Sequence, residues 1–289
     1  MENNKFAYLI MAHKNDDTFQ KLLSLLDDER NDIYIHVDKK SDMSSFIDLT
    51  VSILHSEIYF TDRIDVEWGA YSQIEAEICL FKAASKHNYQ FYHLISGADL
   101  PIKSQDGIHE FFGKNRDKEF VKFENNKFLY HDRVSLYYFF QKNLRNQSFE
   151  TIVNKVLNII QNLFKVKRNR AISFQKGTQW VSITGELVTY IISKEEWIKR
   201  VFSHTLCSDE IFIQTLVHNS TYFKNRLYRK YYDNDACANQ RLIDWDRGTP
   251  YVFRKDDLDE LLNSPFLFAR KFDPVIDKEI IELIVTKFG

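Results

Sequence analysis

Glycine and proline are scarce in this chain, 8 and 4 of 289 residues. That excludes a low-complexity or linker-rich protein, and no Gly- or Ser-rich stretch divides the sequence. Cysteine is rarer still. Cys79, Cys207 and Cys237 are odd in number and far apart, with no CxxC pair, so neither a disulfide framework nor a zinc site is expected. A formal charge of −2 gives no whole-chain basic footprint, which argues against a nucleic-acid partner. No apolar run approaches transmembrane length, and the first residues carry no basic region followed by a long apolar stretch. The expectation is a cytoplasmic protein. GxGxxG and GxxxxGK[ST] are both missing, so a nucleotide would have to be held without a dinucleotide fingerprint or a P-loop.

Apolar residues make up 44% and aromatics 15% of the chain, with Phe 24 and Tyr 15. That suits a deep core or a surface on which sugars stack. Residues 6–12 and 33–37 read as buried strands, and strands are also expected near 58–60, 89–95 and 119–123. Between them lie helical spacings: Phe19, Leu22, Leu23, Leu25 and Leu26, then 70–84, then 105–112. This alternation predicts a mostly parallel α/β sheet with helices on both faces. Ligands of such sheets bind beyond the carboxyl ends of strands. Three polar strand endings therefore become candidates: His13-Lys14, Asp38-Lys39-Lys40 and Ser96-Gly97-Ala98-Asp99.

From about Phe128 the pattern changes. Tyr130 to Phe140 is aromatic and weakly periodic. Residues 142–172 carry Lys142, Arg145, Lys155, Lys165, Lys167, Arg168 and Arg170 against the single acid Glu150. Ile152, Val153, Val156, Leu157, Ile159, Ile160, Leu163 and Phe164 form an apolar face between them. Such a helix packs on its own domain, lies on an anionic membrane or meets a partner. Further on, Ser208-Asp209-Glu210 precedes apolar residues at helical spacing. Ser208 suits an N-cap, and the two acids suit a first turn. The same pair also suits a general base held at a helix start. A strand at 241–245, a helix at 255–262 and a last helix from Ile276 complete the reading.

In this order the chain resembles the core-2/I-branching β-1,6-N-acetylglucosaminyltransferase family, which also includes peptide xylosyltransferases. The resemblance is carried by Ala12-His13-Lys14, Ile35-His-Val-Asp-Lys39, Val66-Glu-Trp-Gly-Ala-Tyr-Ser72, Leu94-Ile-Ser-Gly-Ala-Asp-Leu-Pro-Ile-Lys103, Ser208-Asp-Glu210, Arg241-Leu-Ile-Asp-Trp245 and Leu267-Phe-Ala-Arg-Lys-Phe-Asp273. It implies one GT-A-type, Rossmann-like domain over 1–289. Residues 1–125 would bind a UDP-sugar; 126–289 would bind the acceptor and carry catalysis. The implied reaction is inverting transfer, of N-acetylglucosamine first, with UDP-xylose or UDP-glucose as alternative donors. A non-catalytic glycan-binding module is the competing reading.

The resemblance also implies roles. Glu210 is the base, with Asp209 a cap or acceptor contact, although the two could trade places. No metal or other cofactor is expected, because basic side chains hold the leaving diphosphate. Lys271 is one of these; Arg247 is the chosen partner, with Arg241 and Arg270 in reserve. His13, Asp38, Tyr71 and Asp99 fall to the donor side, and Trp180 or Trp245 to sugar contact. Asp244-Trp-Asp246, Asp233-Asn-Asp235 and Asp257-Leu-Asp259 read as structural, as do His36 and His93. The acceptor is expected to be a glycan or a lipid-linked oligosaccharide in surface polysaccharide or glycoconjugate synthesis, met at the inner membrane face.

Overall fold

A computed structural model describes residues 4–47, 53–125, 131–142, 144 and 149–289. Phe128, Tyr130 and Arg145 lie outside the described residues. Among the described residues eight strands are formed: β1 (Phe6–Ala12), β2 (Asn31–Val37), β3 (Glu57–Phe60), β4 (Phe91–Ser96), β5 (Asp99–Pro101), β6 (Ser182–Thr184), β7 (Arg241–Ile243) and β8 (Phe268–Arg270). The main sheet has the order β3-β2-β1-β4-β6. Its first four strands are parallel, and β6 runs antiparallel to β4. A second sheet, β5-β8-β7, pairs β5 antiparallel and β7 parallel to β8.

The buried strands read as unbroken apolar runs because both faces of the sheet are covered. Phe6, Tyr8 and Ile10 of β1 pack with Phe19, Leu22, Leu26 and Ile280. Ala7 and Leu9, one residue out of step, pack on the other side with Ile74, Ile78, Phe81 and Phe212. The helices start where short polar side chains cap them. Asp16 accepts the Phe19 amide at 3.1 Å and Ser104 the Gly107 amide at 3.3 Å. The α/β architecture with a mostly parallel sheet is the one expected.

Three local expectations are corrected. Residues 119–123 form no strand, because Glu119, Phe120 and Phe123 each bridge a different segment and no continuous ladder develops. Ser208 caps no α-helix: Ser208–Glu210 is a separate 3-10 turn entered through Cys207 at φ 45°, and the helix begins at Phe212. The buried Ser208 hydroxyl has no hydrogen-bond partner among the described residues. The last helix starts at Lys278, where the Asp277 side chain accepts the Ile280 amide.

Candidate active site

The ends of β1, β4 and β8 converge on a cavity of about 180 Å³. It is lined by His13, Lys14, Asp16, Gly97, Ala98, Arg270, Lys271, Phe272 and Asp273. Backbone bonds hold these ends together: the Gly97 amide donates to Met11 O at 3.0 Å and the Phe272 amide to Ala98 O at 2.9 Å. Lys14, Arg270 and Lys271 outnumber the carboxylates Asp16 and Asp273 in this lining, so the cavity suits an anion. His13 is held below the usual imidazole range by burial and by Lys14, which keeps it neutral at pH 7. Asp38 lies close enough to oppose that shift. Its backbone amide donates to Ala12 O at 2.9 Å and its carboxylate accepts the Lys40 amide at 2.9 Å.

Asp99 does not open into this cavity. Its buried carboxylate accepts the Ser96 amide at 3.0 Å, the Ser96 hydroxyl at 2.7 Å and the Arg270 guanidinium at 2.7 Å. Arg270 in turn lies over the Trp180 ring, 4.7 Å from its centroid. Trp180 thus positions the cation that lines the cavity. Arg247 is placed differently. It pairs with Asp244, with Asp257 at 2.7 Å and with Glu260 at 2.7 Å, and stacks 4.3 Å from the Tyr251 centroid. Arg241 is buried, donating to Asn239 O, to Val181 O at 2.7 Å and to Ser182 Oγ at 3.1 Å. Of the three arginines weighed beside Lys271, the cavity contains Arg270.

The acidic letter patterns are tied to arginine as well. Asp244 and Asp257 are occupied by Arg247, and Asp233 and Asp235 by Arg229 at 2.8 and 3.0 Å. His36 and His93 sit in the strands, one accepting the Ile64 amide at 2.9 Å and the other bonded to Ser182 Oγ at 2.8 Å. Tyr71 lines a separate depression with Glu75, Lys82 and Glu195. Trp245 is exposed beyond the end of β7.

The Ser208–Glu210 turn puts its two acids in different surroundings. Asp209 is buried; burial first, and then the charge of Glu210, push its carboxyl up to about 7. One oxygen accepts from Gln73 at 3.1 Å, and the other has no partner among the described residues. The Glu210 side chain is 34% exposed, 3.4 Å from Lys176 and 3.6 Å from Arg133. A carboxylate that reaches solvent can meet a hydroxyl; one sealed in the core cannot. Gly69 holds the turn from below at φ 75°, its carbonyl accepting the Cys207 amide at 2.8 Å.

Residues 176–182 connect the turn to the cavity. The Gly177 amide donates to Glu210 O at 2.9 Å, and a side chain at 177 would meet Lys122 O at 1.8 Å. Gln179 donates to Glu77 at 2.9 Å, and Trp180 lies under Arg270. Glu77 and Lys176 were missed in the sequence. Glu77 had a signal: it is a charged residue among the apolar positions Ile74, Ile78 and Phe81 of the 72–84 helix, and burial raises its carboxyl well above the ordinary range. Lys176 had none beyond its place beside Gly177.

A family model described as Core-2/I-Branching enzyme matches residues 6–261. Xylosyltransferase 2 of Homo sapiens is 22% identical over 301 residues, which cover 97% of this chain and 33% of that protein. A xylosyltransferase of Ciona intestinalis is 24% identical, covering 96% and 33%. Xylosyltransferase oxt of Drosophila pseudoobscura pseudoobscura is 26% identical, covering 90% and 30%. The chain thus spans about a third of the length of the curated relatives it matches. Among solved structures, the apo form of mouse xyloside xylosyltransferase 1 is similar at a TM-score of 0.37 and 9% identity, over 91% of this chain and 96% of that one.

Proposed function

The chain belongs to the Core-2/I-Branching enzyme family, and we propose that it transfers a sugar from a UDP-sugar to a hydroxyl of a glycan acceptor, inverting the anomeric centre without a metal. The observation that carries this reading is the cationic cavity at the strand ends, with Arg270 and Lys271 side by side on its wall. As the glycosidic bond breaks, negative charge grows on the departing diphosphate. Cations already fixed in place stabilise that charge with little reorganisation. Arg270 is fixed by Asp99 and Trp180, and its fork suits two phosphate oxygens. Lys271 adds a second charge, and neutral His13 can donate or accept a hydrogen bond at the same mouth.

Glu210 takes the acceptor proton in this scheme. Inverting transfer needs one base on the acceptor hydroxyl and a sink for the leaving group; it does not need the paired carboxylates and intervening water of an inverting hydrolase. Asp38 lies at the end of β2 on the donor side. The sugar is N-acetylglucosamine on the motif resemblance; the three relatives compared above, each named a xylosyltransferase, support UDP-xylose as a second reading. The acceptor belongs to surface polysaccharide or glycoconjugate synthesis.

Thermal shift against UDP-, GDP-, CMP- and dTDP-sugars tests the assignment. A ligand of the native state adds about 2.7 kcal/mol at a hundredfold excess over its Kd. UDP and a UDP-sugar should shift the transition, and the larger shift of UDP-N-acetylglucosamine or UDP-xylose identifies the donor. A shift with GDP-sugars alone would overturn the reading. Donor binding without transfer to any glycan would favour the non-catalytic module.

A further inference from the structure

The helix Phe149–Leu163 is mounted the wrong way round for a helix that packs on its own domain. Phe149, Ile152, Val156, Ile159, Ile160 and Leu163 fall within about 100° of arc on one side. All six are exposed, Phe149 to 77% and Leu163 to 76%, and Phe164 follows at 75%. The opposite side meets the protein through amides. Asn154 bonds the Phe140 backbone, and Gln161 accepts the Tyr137 amide at 2.7 Å and donates to its carbonyl at 2.9 Å. Asn158 bonds the Tyr138 hydroxyl. The apolar stripe therefore contributes nothing to the core, and an unburied patch of this kind marks a contact surface.

Charge surrounds the stripe with one sign. Lys155 borders it, and Lys165, Lys167 and Arg170 are exposed in the loop beyond the helix; Glu150 is the single acid across 149–175. Arg168 anchors that loop, donating to Val134 O at 3.1 Å and Thr205 Oγ1 at 2.7 Å. Beside it lies a cavity of about 510 Å³ lined by His131, Lys167, Arg168 and Arg170. We propose that this helix and loop dock the protein on an anionic lipid surface, the apolar stripe entering the acyl boundary and the basic loop meeting phosphate headgroups. The helix has 15 residues, and among the described residues no helix is long and apolar enough to cross a membrane; the contact is peripheral. A second copy fits less well, because pairing the stripe with itself gathers like charges at one interface.

This docking goes beyond the transfer reaction and does not depend on it. Co-sedimentation is measured with vesicles of equal parts phosphatidylglycerol and phosphatidylcholine, and with phosphatidylcholine alone. The protein should bind the anionic vesicles and release as salt rises. Replacing Lys165, Lys167 and Arg170 by alanine should weaken binding about fivefold per residue. Ile159→Glu and Leu163→Glu should weaken it at least as much while leaving thermal unfolding unchanged, since both sites are exposed. Absence of binding, or equal salt-insensitive binding to both vesicles, overturns the proposal. So does a concentration-dependent dimer that Ile159→Glu dissolves. The nucleotide thermal shifts are read without lipid, so failure of this proposal and failure of the transferase reading are told apart.

Discussion

Asp99 and Arg270 are cross-strand partners in the antiparallel pairing of β5 with β8, and their side chains meet at 2.7 Å. The pair ties the turn after β4 to the strand that delivers Lys271. The Asp99 side chain is 3% exposed and that of Arg270 21%. An acid at the end of a strand thereby acts on the anion site through the arginine it holds.

Asp99→Asn should lower unfolding stability by about 3 kcal/mol, the low end of what breaking a buried pair costs. Urea unfolding should show a lower midpoint at an unchanged slope. Asp99→Asn combined with Arg270→Gln should recover part of the loss, since no charge is then left unpaired. A wild-type midpoint for Asp99→Asn alone would refute the structural role.

Arg270→Ala and Lys271→Ala should each reduce transfer about a hundredfold, as loss of one preorganised donor to a developing anion does. Arg247→Ala should cost stability and leave transfer much less affected, because its partners are Asp244, Asp257 and Glu260. Excess EDTA should leave the rate unchanged. A chelator-inactivated enzyme rescued by manganese would contradict the charge assignment.

Glu210→Gln should keep donor binding and lose transfer by roughly a hundredfold to ten-thousandfold, the range of a general base. Asp209→Asn, at a buried carboxyl, should act mainly on stability. The reverse outcome in a rate assay would exchange the two roles.

Burial raises the Asp209 carboxyl to about 7, so between roughly pH 4 and 7 the folded chain keeps a proton that the unfolded chain releases. Its contribution to stability therefore falls as pH rises through that window. Glu119, raised to about 7 by burial, changes in the same direction. Asp209→Asn removes one of these groups. It should melt with the wild type near pH 4 and several degrees above it near pH 8, each pKa unit being about 1.4 kcal/mol. Parallel melting curves across the whole range would show that this carboxyl does not titrate as described.

Gly177→Ala should destabilise the fold by roughly 3 kcal/mol, the upper range for overpacking, because its Cβ would press on Lys122 O. The same shift should displace Glu210 through the Gly177 amide and lower the maximal rate beyond what the unfolded fraction explains. Activity that tracks only the folded fraction would remove Gly177 from positioning the base.

The sequence alone determined the parts of the molecule that depend on local pattern. The apolar runs of β1 and β2 and the 3.6-residue spacing from Phe19 to Leu26 carry their own geometry. Two of the three polar strand endings, at His13-Lys14 and Gly97-Ala98, line the cavity, while Asp38-Lys39-Lys40 is not part of its lining; an α/β sheet opens at its carboxyl edge. Only the tertiary structure decided which side chains share that cavity. Arg247 and Arg270 are equivalent as letters beside Lys271; strand pairing brings Arg270 into the wall and three carboxylates hold Arg247 elsewhere. Asp209 and Glu210 are adjacent in sequence, and a 3-10 turn sends one into the core and the other toward solvent. Periodicity located the apolar stripe of residues 149–164 without showing which way it faces. That orientation follows from Asn154 and Gln161, whose amides bond backbone groups across 14 and 24 residues of chain, a long-range match that no spacing within the helix records.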